Sequence, residues 1–221
     1  MATDVSTDSN GKLIGILIAA ASILSIVMMA HHPSVGSHEA AEVAAELARK
    51  ATIDRVVHGT LIALSGLLLF GLVEFSARIG SARSVARAAV IAFAIGIGAE
   101  ICAATISGFI VADLGTHYAG TPDTDLLALR HLLFLCMRAN QAFAAIGVIA
   151  MAVAIVLWSV ALLRTRANAA IGIVGLILGA GPALALLFGA LRLDVHGMLL
   201  VVVANALWYL AISVQLMRGK L

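Results

Sequence analysis

The sequence predicts an all-α integral membrane protein, a six-transmembrane-helix bundle with a short extra helix on its outer face. Three observations predict it. First, 62% of the 221 residues are hydrophobic and only 12% are charged, whereas soluble domains run near half apolar and a quarter charged. Second, long apolar runs alternate with short polar joints, and six of the runs approach the ~20 residues a bilayer span requires. Third, all seven histidines fall at joints of the same parity, and so at one end of such a bundle.

The six spans run roughly over 13–30, 56–77, 88–112, 140–163, 168–190 and 196–216. Residues 1–12, with Thr, Asp, Ser and Asn and no apolar periodicity, read as a disordered cytoplasmic tail. Residues 13–221 then form a single six-helix transmembrane domain. A cleaved signal peptide needs a basic start and a shorter core; this chain starts with Asp4 and Asp8, so span one is retained. The joint from His31 to Asp54 passes Pro33 and Gly36 and enters an Ala- and Glu-rich stretch, His38 to Lys50. Good helix formers fill it, Ser37 is placed to cap it, and Glu46 stands one turn from Lys50. This is the extra outer-face helix. Span three leads to Asp113–Asp125, where Gly115, Gly120 and Pro122 predict a loop. The next helix reads from Leu126 to Leu163, near 57 Å, almost twice the hydrocarbon thickness. Its first turns must rise above the membrane, kink, or lie inside the bundle. Span five is interrupted by Gly179, Gly181 and Pro182.

Charge sets the orientation. Eight basic residues lie on one side (Lys12, Arg78, Arg83, Arg87, Arg164, Arg166, Arg218 and Lys220) and six on the other. The joint Arg78–Arg87 holds three arginines and no acid. Basic short loops mark the cytoplasmic side. Both termini are therefore expected in the cytoplasm, with the histidines outside, across the inner (plasma) membrane if the cell is bacterial. A weak repeat supports a shared site: Val57-His58-Gly59 opens span two as Val195-His196-Gly197 opens span six. Repeat-related spans often meet at a functional site.

The candidate ligands are His31, His32, His58, His131 and His196. Met28 lies three and four residues before His31 and His32, on one helical face, and Met198 follows His196. Thioether with imidazole suits copper, and imidazole alone suits zinc and iron as well. His38 and Glu42 could chelate from one face, but the zincin motif has a second His at that spacing. Asp54, one turn before His58, is placed to accept its ring N–H and fix its tautomer. Glu100 lies mid-span on a stripe with Gly96, Ala104 and Gly108, so it faces protein. A charge there requires a partner, and Arg138 on the next helix is the expected one, sharing a face with His131. Cys102 and Cys136 read as buried, inert thiols.

These residues predict a histidine-rich outer-face site for a transition metal (copper, iron or zinc) or haem b, in redox chemistry or electron transfer. With haem, two histidines on neighbouring helices would be the axial pair. The alternatives are an accessory or structural membrane protein without cofactor, and a small transporter using Glu100, Arg138 and the histidines as a polar path. The lipid bilayer is the expected partner, with a homo-oligomer or a partner membrane subunit left open. No basic stripe with aromatics supports nucleic-acid binding. Neither a nucleophile elbow nor a phosphate loop is present.

Overall fold

The computed structural model describes residues 4–34, 36–37, 39–80, 84–165 and 168–221. Among these there is no strand. The elements are α1 (Asp4–Ala30), α2 (Ala40–Arg78), α3 (Ser84–Thr105), a π-helical turn (Ile106–Val111), α4 (Ala112–Tyr118), α5 (Asp123–Thr165), α6 (Ala169–Leu187) and α7 (Val195–Met217). α3, the π turn and α4 form one continuous rod. Six helices are thus long and apolar enough to cross a membrane.

The elements depart from the expected bounds in three places. α1 is helical from Asp4, where composition suggested an unstructured tail. Residues 40–50 are helical, but they form the opening turns of α2, not a separate element. No Gly or Pro interrupts the chain from Ala40 to His58, so nothing ends the helix there. The loop expected from Asp113 stays helical through Tyr118. Gly115 serves close packing, since a Cβ on it would overlap Leu47. The turn falls at Gly120, whose φ of +79° favours glycine.

The excess length of the fourth span has a simple use. α2 and α5 both project past the bundle at the histidine end. There Ala40 and Ala44 of α2 pack with Leu126 and Leu129 of α5 in a small separate core, flanked by Leu114 and Tyr118 of α4. Arg55 of α2 pairs with Asp113 of α4. The long helix therefore rises above the apolar region beside a partner of similar length.

Below this cap the spans close a ring. α1 packs on α2 and α7, α3 on α2 and α5, and α6 on α5 and α7. The outward faces carry exposed Ile16, Phe70, Ile95, Ile177 and Leu207, an apolar belt suited to lipid. The half of the ring nearest the termini is filled by Phe75, Phe93, Trp158 and Trp208, all fully buried. Trp158 donates to Ser76 Oγ at 2.6 Å and Trp208 to the Ile171 carbonyl at 3.3 Å. α6 comes this close because residue 175 is glycine; a Cβ there would overlap both Ser159 and the Trp208 indole nitrogen. Gly175→Ala should therefore cost about 1–3 kcal/mol through overpacking. Thermal unfolding in detergent reads this as a lowered midpoint, and an unchanged midpoint would mean the helices do not meet there.

Candidate functional site

Two histidines come together at the histidine end of the ring. His32 follows the last turn of α1, and His58 lies in α2, buried at 4% exposure. Their Nε2 atoms stand 3.1 Å apart. The rings meet edge to face, with centroids 4.7 Å apart and planes at 77°. Each opposite nitrogen faces a backbone carbonyl. His32 Nδ1 lies 2.8 Å from the Pro33 oxygen, and His58 Nδ1 lies 2.9 Å from the Asp54 oxygen. A carbonyl only accepts, so each Nδ1 carries its ring's proton. Both Nε2 atoms then present lone pairs to each other. Two facing lone pairs repel unless an electrophile lies between them.

The surroundings hold this geometry. A Cβ on Gly108 would overlap His58 Cβ and come 2.8 Å from its Nδ1. Gly108 lies in the π-helical turn; such a turn adds a residue to the helical repeat and often marks a functional site. Asn140 of α5 spans the distortion, donating to the Ala103 carbonyl at 2.9 Å and to Ser107 Oγ at 2.8 Å. Asp54, one turn before His58, is buried. The carboxylate was the expected acceptor from His58. The backbone carbonyl of the same residue takes that role, because residue i−4 of a helix offers its oxygen directly to side chain i.

The other candidates lie apart. His31 is exposed and turns Nδ1 to the Val27 carbonyl at 2.8 Å. His131 and His196 are exposed. His196, expected beside His58, opens α7, and α1 stands between α2 and α7 in the ring. The repeated words thus sit in different environments. Met28 packs against the main core. His38 lies outside the described residues. Among those described, no group of three or more His, Cys, Asp or Glu side chains is placed to hold a metal. Cys102 is exposed rather than buried, and Cys136 is half-buried.

Directly beneath the histidine pair lies a cavity of about 120 Å³. Met29, three residues before His32, and Leu61, three after His58, are on its wall. Phe93 and Tyr209 line it toward the aromatic half, and Met198 lines it from α7. Glu100 also lines it, with a buried Oε1 that has no hydrogen-bond partner; the buried Tyr209 hydroxyl has none either.

The expected Glu100–Arg138 pair does not form. Arg138 is exposed, its guanidinium 5.3 Å from the centre of the Phe134 ring. The α5 residue that meets Glu100 is Gly147, where a Cβ would overlap the carboxyl. Arg138 precedes Gly147 by nine residues, which at 3.6 per turn is about 180° around the helix. It therefore points away from Glu100, and His131 points outward with it.

Several participants carried little sequence signal. Pro33 acts through its carbonyl, which every residue has. Asn140 is one polar residue in a mixed stretch, and Tyr209 stands alone in an apolar run. Gly108 was visible only as a member of a small-residue stripe. No family model, curated protein or solved structure matches this chain.

Proposed function

We propose that this multi-pass membrane protein binds one transition-metal ion between His32 and His58, on the outer side of the membrane with both termini in the cytoplasm. The arginine-rich joints at the opposite end support that orientation. The observation that carries the metal reading is the approach of the two Nε2 atoms to 3.1 Å. Metal–imidazole bonds of about 2.0–2.1 Å place two ligand nitrogens about 2.9 Å apart at a right angle and about 3.3 Å apart at a tetrahedral angle. The pair falls between these values. Both tautomers are fixed by carbonyl acceptors, the usual support for a ligating imidazole. The neighbouring Asp54 carboxylate adds negative charge.

Imidazole donors suit zinc, copper and iron. The remaining coordination positions would be filled by water, substrate, or a residue of a second copy or partner subunit. Haem suits the pair less well, because two axial nitrogens must stand about 4 Å apart across the iron with the macrocycle between them. Edge-to-face rings with nitrogens 3.1 Å apart favour a bare ion.

Metal analysis of protein purified in detergent and loaded with Zn²⁺ or Cu²⁺ tests this. One tightly held ion per chain is expected, with binding at least ten-fold weaker in His32→Ala and in His58→Ala. Metal content unchanged in both variants, or no stoichiometric binding in the wild type, defeats the proposal and leaves a shared proton as the electrophile. Acid gives a second test. Protonating either Nε2 consumes the lone pair the metal uses, so affinity should fall as the pH is lowered. Affinity that does not fall on acidification would place the metal elsewhere.

A further inference from the structure

The cavity beneath the histidine pair has a chemistry of its own. Its wall is mainly apolar, built from residues such as Leu68, Ile97 and Met151, and no Lys, Arg or His lines it. Glu100 and Tyr209 line it, and each has a buried oxygen that lacks a hydrogen-bond partner. Buried polar atoms in native proteins are almost always satisfied, so two orphans on one cavity point to an occupant. A carboxyl group at mid-span is costly to ionise without a positive partner, and Arg138, the expected one, points away.

The occupant's class follows from what the wall offers. A hard metal cation needs about six or more oxygen ligands. Of the three serines on the wall, Ser22 donates to the Ile18 carbonyl at 2.7 Å and Ser65 to the Leu61 carbonyl at 2.9 Å, which leaves Ser25 and the Asn205 amide as its neutral polar groups. Few oxygens remain. One carboxyl, two aromatic rings and a sleeve of aliphatic and thioether groups instead match a cation that carries its own apolar groups. Aromatic faces attract such cations.

We infer that this cavity binds a small organic cation of the alkylammonium class, with Glu100 as counter-charge, Tyr209 and Phe93 at one end, and the alkyl groups against Leu68, Ile97 and Met151. This rests on the cavity and its two unpartnered oxygens, independently of the metal proposal. His58→Ala should leave it intact, which keeps the two ideas separable.

Equilibrium dialysis of the full chain in detergent against radiolabelled tetramethylammonium or propylammonium tests it. Saturable binding at one site per chain is expected for at least one probe. It should be at least ten-fold weaker in Glu100→Gln, and tert-butanol, a neutral molecule of similar size, should not compete. Absence of saturable binding of both probes, full binding by Glu100→Gln, or equal competition by tert-butanol overturns the inference and leaves water as the occupant. If Glu100→Gln does not fold, the wild-type chain answers alone. Dicyclohexylcarbodiimide should modify Glu100, read by mass spectrometry of its peptide, and a saturating alkylammonium should protect it. Labelling that the ammonium does not reduce, or no labelling at all, overturns the proposal equally.

Discussion

Gly108→Ala is expected to remove metal binding as fully as loss of His58 itself. The added methyl would occupy the space of His58 Cβ and come 2.8 Å from its Nδ1. Neither group can yield cheaply, since His58 is held to the Asp54 carbonyl and Gly108 to a π turn that Asn140 spans. The ring must swing out, and a displacement of about 1 Å is enough to spoil a site whose metal–nitrogen distances are set within about 0.2 Å. Stability should fall as well, by about 1–3 kcal/mol. Gly98→Ala is the control. It lies on the same helix with nothing within 4 Å of a new Cβ, so alanine's better helix propensity should leave stability equal or raised by up to about 1 kcal/mol. Metal analysis and thermal unfolding of the two variants read both effects. Wild-type metal affinity in Gly108→Ala would show that this contact does not position His58.

Glu100→Leu should make the protein more stable and Arg138→Leu should change little. Leaving a buried polar group unsatisfied costs about 1–3 kcal/mol, and an apolar residue of similar size removes that cost. Arg138 is exposed and stacked on its own helix neighbour, where surface substitutions usually stay within about 0.5 kcal/mol. The double variant should equal the sum of the single ones, because the side chains do not touch. Denaturant or thermal unfolding in one detergent measures all three. A less stable Glu100→Leu, or restoration of a loss by the second change, would return the ion pair to consideration. Glu100→Leu should also lose alkylammonium binding.

Much of the site was legible in part. Glu100 was correctly placed on a protein-facing stripe, because small residues at three- and four-residue spacing mark the packed side of a membrane helix. Its partner does not follow from the sequence, because proximity along the membrane normal leaves the rotation of each helix open. Counting nine residues back from Gly147 gives the half-turn that sends Arg138 outward, but nothing in the chain marks Gly147 as the residue opposite Glu100. The histidines show the same division. Parity predicts all seven at one end, yet among the described residues only His32 and His58 converge. Pro33 ends α1 so that His32 turns toward α2, and Gly108 opens the niche that His58 fills. His196 shares its flanking residues with His58, but a tripeptide does not decide which neighbours a helix meets.

The sequence by itself determined the six apolar helices, their alternation, the end that carries the histidines and the arginine-rich joints at the other. These follow from local quantities: the length of an apolar run against the thickness of a bilayer, and the charges between runs. Tertiary structure alone decided the closed ring, the extension of α2 and α5 into a shared cap, the pairing of His32 with His58, and the cavity that leaves Glu100 and Tyr209 without partners. The physical reason is rotational. Each of these depends on the angle at which one helix presents itself to the next, and that angle is set by where a missing Cβ lets two backbones approach, a relation between residues far apart in the chain.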